Sequence, residues 1–283
     1  MKTLLIALAL VAALTLPAAA EDDEVAFVTP TDPVIDHAAV TYADLVRQAI
    51  PDFAVDEHGD WVGTLPDGIR HIDGPETVGE RPDELKISYV DVRQLDGDGH
   101  KNIWLMADLN GGGTLGMYTL LMVFDDSVSP KLLDTAEVDT DQLTGFLGEQ
   151  LRISAKDEAI TVDSEHSNSS QTYQDQSLLF VYKGKLTRIA EFFAFGTRTC
   201  TYDQTEFVDV TATPDRNGFW PIKIVNTRSV AKFTESEDCP EATDSDYRKT
   251  EYTAVYKWNA KTGRYESKSK ELDRLFKADQ DHF

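Results

Sequence analysis

The chain is short of the residues that most often carry metal, redox and nucleophilic chemistry. Its 283 residues include two cysteines, six histidines and four methionines. The histidines are scattered, and none has the H-x-x-x-H or H-E-x-x-H spacing of a catalytic zinc site. A P-loop, a dinucleotide-binding fingerprint and a G-x-S-x-G nucleophile elbow are also lacking. The sequence therefore offers no motif for zinc, nucleotide or serine-hydrolase chemistry.

Positive charge is scarce as well. The chain has 27 Lys and Arg residues against 50 Asp and Glu residues, which gives a formal net charge of −23. Such a charge repels phosphate backbones and anionic membrane surfaces. Beyond the N-terminus, no apolar run is long enough to cross a bilayer. We therefore expect a protein or small-molecule partner, with no nucleic acid and no membrane insertion after signal cleavage.

The first 20 residues have the three parts of a secretory signal peptide. Lys2 supplies the positive start, 4–16 form a short apolar core, and three alanines precede the acidic run that begins at Glu21. We expect cleavage after Ala20 and a periplasmic or secreted protein. Residues 21–38 are acidic and carry two prolines, which predicts a poorly ordered mature N-terminus.

Export to an oxidising compartment determines how the two cysteines are interpreted. Two cysteines far apart in the chain, with no histidine at ligand spacing, make a poor zinc site. Exported proteins keep disulfides. We therefore predict a disulfide between Cys200 and Cys239.

The rest of the chain, 39–283, predicts a single domain that is mainly β. Short runs rich in Val, Ile, Tyr, Phe and Thr alternate with turn clusters, which is typical of antiparallel strands. They group into three four-stranded meander units, at about 85–138, 148–195 and 200–270. Such units occur as propeller blades or in a two-sheet arrangement, and the sequence leaves both open.

The third strands of the three units align best: LLMVF at 120–124, LLFVY at 178–182 and TAVYKW at 253–258. Two short helices flank the units. Thr41 and Asp44 form a capping-box pattern that predicts a helix ended by Pro51. Ser269 can cap a C-terminal helix over 270–277, which we expect to pack against the sheet edge.

Residues 94–102, QLDGDGHKN, have the spacing of a calcium loop. Side-chain oxygens fall at positions 1, 3, 5 and 9, and Gly99 falls at position 6, where the sharp turn needs it. The position-7 carbonyl also belongs to the set. The candidate metal ligands are Asp96, Asp98, Gln94, Asn102 and the His100 carbonyl.

This loop resembles the Asp-x-Asp-Gly-Asp-Gly loops of FG-GAP-type β-repeat proteins, which lie between two strands. The resemblance implies that Asp96 and Asp98 are the firmest ligands. Amides replace carboxylates at both outer positions, which weakens any calcium site. Asp-Gly between apolar strands is equally a strong hairpin-turn signal. Two interpretations stay open: a plain turn with no cofactor, and a weak Ca²⁺ site.

Residues 39–210 are similar to exported bacterial β-rich proteins of unknown function, in the HSNSSQTYQ segment and the aromatic-rich strand before Cys200. That resemblance implies a periplasmic setting only and does not indicate any activity. The hypothesis is an exported, non-enzymatic binding module of the cell envelope. The alternative is a cell-envelope hydrolase that uses paired carboxylates, for which 50 acidic residues give many possible pairs.

Overall fold

A computed structural model of the chain describes residues 27–74, 85–87, 90–97, 100–109, 118–139, 143–216, 218–234 and 239–280. The expected signal peptide over 1–20 lies outside them, and so does Asp98 of the loop. Strands make up most of the described chain, so the expected mainly β, antiparallel architecture is confirmed. No helix within the described residues is long and apolar enough to cross a membrane.

The N-terminal part contains short strands and one helix. Its elements are β1 (Phe27–Val28), β2 (Pro33–Val34), β3 (His37–Thr41), α1 (Tyr42–Ala49), β4 (Ala54–Val55), β5 (Trp61–Gly63), β6 (Arg70–His71) and β7 (Leu85–Lys86). Residues 27–38 differ from the expected poorly ordered segment, because β1 pairs with a strand of the main sheet and Val34 is buried. The predicted capping box is present, since Thr41 and Asp44 exchange both hydrogen bonds at the start of α1.

Three four-stranded antiparallel meanders follow. The first contains β8 (Val90–Gly97), β9 (His100–Leu109), β10 (Tyr118–Asp125) and β11 (Leu132–Asp139). The second contains β12 (Leu143–Arg152), β13 (Glu158–Ser167), β14 (Gln171–Tyr182) and β15 (Lys185–Arg198). The third contains β16 (Tyr202–Ala212), β17 (Ile222–Lys232), β18 (Arg248–Asn259) and β19 (Arg264–Glu266), and helix α2 (Glu271–Gln280) follows it.

The predicted units are close to these meanders, with shifted starts. The first meander begins at Val90, because β7 pairs with β5 in a separate small sheet. The second begins at Leu143 and the third at Tyr202. Each aligned apolar segment lies in the third strand of its meander, in β10, β14 or β18. Most of the HSNSSQTYQ segment belongs to the β13–β14 hairpin, and only 168–170 form its turn.

Hydrogen bonding joins the strands into two large sheets. The first has the order β1-β8-β9-β10-β11-β6, and the second runs from β12 to β19 in sequence order. The second sheet is nearly divided, because β15 and β16 share only the pairs Thr197↔Gln204 and Arg198↔Asp203. Beyond these pairs β15 and β16 separate, which lets the third meander fold over the second.

The three meanders stack face to face. One face of the first packs against α1 and the segment around it, with Leu45 and Leu105 in the same core. Its other face packs on the second meander, where Trp104 and Ile160 share a core. The opposite face of the second meander packs on the third, through residues such as Phe180. The third meander's outer face is exposed, with Phe207 at 70% exposure, so the stack is open at this end.

A candidate ligand cavity beneath the C-terminal helix

Helix α2 covers the space where β15 and β16 separate. The structure confirms the predicted helix, with Ser269 Oγ accepting a hydrogen bond from the Glu271 backbone N–H at 3.3 Å. Its position differs from the sheet edge that we expected, because α2 contacts both β15 and β18. Leu275 is buried between the two meanders, and the ring of Phe276 packs edge-on against Phe193 with centroids 4.8 Å apart. The helix therefore closes one side of an interlayer space.

This space is a cavity of about 530 Å³, which we call the α2 cavity. Its volume falls in the range of small-molecule sites. Its walls are mainly apolar and aromatic because they continue the core between the second and third meanders. The apolar and aromatic lining residues are Phe192, Phe193, Val208, Ile224, Tyr256, Leu272, Leu275 and Phe276.

The charged side chains that line the α2 cavity are few and all negative. Three carboxylates line it, from Asp175, Glu191 and Asp273, and no Lys, Arg or His is among the described residues that do. The negative potential reaches the aromatic wall. The pKa of Tyr256 is raised, first by burial and then by the nearby negative charge of Asp273. The cavity is thus an apolar space with an acidic lining.

Asn226 is the one amide in this lining and is 2% exposed. Its Nδ2 donates to the Phe193 carbonyl at 3.2 Å and to Glu206 Oε2 at 3.0 Å. The backbone carbonyl can only accept, so this contact fixes which end of the amide carries the N–H groups. Asn226 Oδ1 is buried and has no hydrogen-bond partner. The amide therefore holds an unsatisfied acceptor that is buried within the wall.

A buried polar cluster lies behind Asn226 and anchors α2. Gln204 Nε2 donates to Glu206 Oε1 at 3.1 Å and to Asp279 Oδ1 at 3.0 Å. Arg228 Nη2 donates to Gln204 Oε1 at 2.5 Å and lies 3.9 Å from Asp279 Oδ1. The side chains of Glu206 and Asp279 are fully buried. One arginine thus faces two buried carboxyl groups.

Burial sets the protonation of this cluster. Burial, together with the negative charge of Asp279, raises the pKa of Glu206 to about 7. Two buried carboxylates near one arginine cannot both ionise without cost. On the second meander, burial and the charge of Glu165 raise the pKa of the partly buried Asp163 to about 6. Neither Glu206 nor Asp163 is among the described residues that line the α2 cavity.

Sequence reasoning missed both the cavity and the polar cluster. A signal was nevertheless present in β16 and β17. Side chains alternate along a strand, so Gln204 and Glu206 must share a face with Val208, while Asn226 must share a face with Ile224. Polar residues at positions that continue an apolar face indicate a buried polar site. The acidic residue on α2 could not be assigned to it, because nothing in the sequence specified where α2 docks.

The strands on the two sides of the predicted calcium loop pair as an antiparallel hairpin. Their pairing runs without a register shift from Asp91↔Met106 to Gly97↔His100, and the turn residues 98 and 99 lie outside the described residues. The expected alternation is confirmed, since Ile103, Leu105 and Ala107 belong to the same core. A Cβ on Gly97 would lie 2.5 Å from Asn102 Nδ2, so glycine is required for Asn102 to pack there.

The hairpin separates the described calcium ligands between its two faces. Asn102 pairs with Leu95, whereas Gln94 pairs with Ile103 and therefore points to the opposite face. Asp96 is engaged elsewhere, because its carboxylate lies 2.9 Å from Arg152 Nη2. Across the described residues, no three His, Cys, Asp or Glu side chains converge as they would around a metal ion. Calcium binding at this loop remains a prediction that only a measurement can test.

Two other hollows are less suited to a ligand. The larger, about 710 Å³, lies beside Trp258 and is lined by exposed surface residues such as Lys257 and Lys261. The other, about 470 Å³, lies among the loops around Lys156 and Lys183. Both are bounded mainly by side chains at the surface, whereas the α2 cavity has a floor of buried residues, namely Phe192, Val208, Ile224, Asn226 and Leu275. Comparison with known proteins adds no functional assignment: no family model, curated protein or solved structure matches this chain.

Proposed function

We propose that this protein is an exported, non-enzymatic binding module of the cell envelope, with the α2 cavity as its ligand site. The observation that carries the proposal is the combination of an apolar cavity of about 530 Å³ with few polar groups. Small-molecule sites have this composition, because apolar walls supply affinity and isolated polar groups orient the ligand. The N-terminal segment and the Cys200–Cys239 disulfide support an exported, oxidising setting.

Binding is favoured over the alternative, a hydrolase with paired carboxylates. A carboxylate hydrolase needs a carboxyl group with a raised pKa in contact with substrate. The carboxyls whose pKa burial raises to about 7 and about 6, Glu206 and Asp163, are not among the cavity-lining residues. Glu206 is instead bonded within the cluster that holds α2. Its protonation serves the packing of α2 in this proposal.

The proposal is tested by NMR on the mature chain with labelled methyl groups. Val208, Ile224, Leu272 and Leu275 place methyls in the cavity wall and report on its occupancy. In a screen of small aromatic and aliphatic fragments, we expect saturable shifts that concentrate on these methyls. If no fragment shifts them selectively, the proposed ligand site is wrong.

Filling the cavity supplies the matched control. Val208→Trp places a large ring inside the cavity, whereas Phe207→Trp changes the neighbouring residue, whose side chain is 70% exposed on the outer face. We expect Val208→Trp to abolish fragment binding and Phe207→Trp to retain it. Leu272→Trp fills the same space from α2 and guards against misfolding of one variant. Unchanged binding in both filled variants would contradict the proposal.

A further inference from the structure

The aromatic wall of the α2 cavity is suited to a positively charged group. Four rings line it, from Phe192, Phe193, Tyr256 and Phe276. They form two edge-on pairs, with centroids 6.2 Å apart for Phe192 and Tyr256 and 4.8 Å apart for Phe193 and Phe276. Aromatic faces attract ammonium groups, and more strongly when the cation is desolvated. The same rings provide an apolar surface for the body of a ligand.

The carboxylates that line the cavity also favour a positively charged ligand. Part of their charge is balanced locally, because Glu191 pairs with Arg188 at 2.5 Å and Asp273 pairs with Lys270 at 2.8 Å. Asp273 and Lys270 are both exposed, and such pairs are weak and exchange readily with other ions. Asp175 contributes the third carboxylate and lies opposite Phe193 across β14 and β15. The charged side chains that line the cavity are thus all negative, which disfavours an anionic ligand and favours a cation, although two of the three carboxylates already have a basic partner.

Asn226 borders the cavity without adding a contact for the ligand. Its Oδ1 is buried without a hydrogen-bond partner, and its Nδ2 is occupied by Phe193 and Glu206. Because Oδ1 has almost no accessible surface, a ligand in the cavity does not reach it without a shift of the wall. The aromatic rings and the carboxylates therefore carry the choice of ligand chemistry.

We propose that the α2 cavity binds an organic cation, namely an ammonium group on an aromatic or alkyl body. The body packs among Phe192, Tyr256 and Phe276, and the ammonium group faces the aromatic rings and the carboxylate lining. This inference rests on the proposed function and names the ligand class of the same site.

Three probes of similar shape and different charge test the ligand class. They are 2-phenylethylammonium, 2-phenylethanol and 3-phenylpropanoate, each titrated into the mature protein by methyl NMR. We expect the ammonium compound to bind at least about tenfold more tightly than the alcohol, and the carboxylate compound to bind more weakly than the alcohol. Equal binding of all three would overturn the cation assignment and leave the cavity as a ligand site. Failure of these probes and of the fragment screen together would overturn both proposals.

A pair of charge-removing variants tests the assigned groups. Asp175→Asn removes a lining charge, whereas Asp209→Asn removes an exposed charge from β16 outside the lining. We expect Asp175→Asn to weaken ammonium binding about fivefold to tenfold, with alcohol binding unchanged. Asp209→Asn should leave both affinities unchanged. Equal loss of ammonium affinity in the two variants would mean that net charge alone attracts the cation, and the assignment to this site would fail.

Discussion

Gln204 and Asp279 are 75 residues apart in the chain, and a 3.0 Å hydrogen bond from Gln204 Nε2 to Asp279 Oδ1 joins them. The bond ties the end of α2 to the first strand of the third meander. Asp279 is fully buried, so the carboxyl group has no solvent to replace this partner. Docking of α2 therefore depends on a polar contact as well as on the burial of Leu275.

The first prediction concerns this contact. Asp279→Ala should lower the free energy of unfolding by about 1–3 kcal/mol, because it leaves buried donors of Gln204 and Arg228 poorly satisfied. Chemical denaturation measures the change. The control is Gln280→Ala, whose exposed side chain should change stability by less than about 0.5 kcal/mol. Equal stability of the two variants would show that the polar contact does not stabilise α2.

The second prediction is a pH dependence that arises from Glu206. Burial and the charge of Asp279 raise its pKa from the model-compound value of 4.5 to about 7. The folded state then holds a proton that the unfolded state releases between pH 4.5 and 7. The stabilisation is therefore complete below pH 4.5 and is lost as the pH rises through about 7.

Glu206→Gln should remove this dependence, because the amide cannot ionise. The difference in unfolding free energy, variant minus wild type, should rise between pH 4.5 and 8 by on the order of 2 kcal/mol. Denaturant titrations at a series of pH values measure it. Glu251→Gln changes an exposed residue on β18 and should give a flat difference across the same range. A flat difference for Glu206→Gln as well would contradict the assigned shift.

The strand pattern could be predicted because it is local. Alternating apolar residues and turn clusters specify each hairpin, and the apolar segments of 120–124, 178–182 and 253–258 lie in equivalent strands. The helix caps at Thr41 and Ser269 are equally local, since each depends on residues two or three positions away.

The stacking of the meanders could not be predicted, because it depends on contacts between distant residues. Whether β15 and β16 pair along their length or only at two positions decides if a cavity exists, and both strands alternate in either case. At 94–102, in contrast, the local spacing is present but the geometry of the site depends on strand register. Its ligand spacing suited calcium, but spacing does not specify register, and register assigns Gln94 and Asn102 to different faces.

The third prediction concerns the disulfide. Cys200 and Cys239 are bonded, with their Cα atoms 4.4 Å apart, as the sequence predicted. The bond closes a loop that contains β16 and β17. The Cys200→Ser, Cys239→Ser double variant should lose about 4 kcal/mol of stability, because its unfolded chain gains loop entropy. Maleimide labelling of the denatured, unreduced wild type should give no modification. Labelling of both thiols would show that the bond does not form in the cell.

The fourth prediction is that the exported chain begins at Glu21. The apolar segment ends in three alanines, and signal peptidase accepts small residues before its cleavage site. Intact-mass measurement of protein recovered from the cell envelope or medium should give the mass of residues 21–283. A chain that retains residues 1–20 would contradict the predicted cleavage.

The fifth prediction concerns the hairpin at 94–102. The Asp96 carboxylate pairs with Arg152 Nη2, and Glu158 Oε2 accepts from the Asp96 backbone N–H at 2.9 Å. The hairpin is thus tied to the second meander by an ion-pair network that occupies Asp96, one of the two ligands expected to be the firmest. Asp96→Ala should cost about 0.5–1 kcal/mol, because the pair is partly exposed.

The same arrangement predicts that thermal melts in millimolar calcium and in chelator coincide. A calcium site would need the amide of Asn102 to cross from the face that it shares with Leu95 to the face of Gln94. It would also need Asp96 to leave Arg152. Two carboxylates would give an affinity of about 10⁻⁴ to 10⁻³ M, and millimolar calcium would then stabilise the fold by about 1 kcal/mol. A calcium-dependent rise in melting temperature that disappears in Asp98→Ala would establish the metal site. Coincident melts, with Asp96→Ala equally destabilised in both buffers, would establish a turn held by its ion pairs.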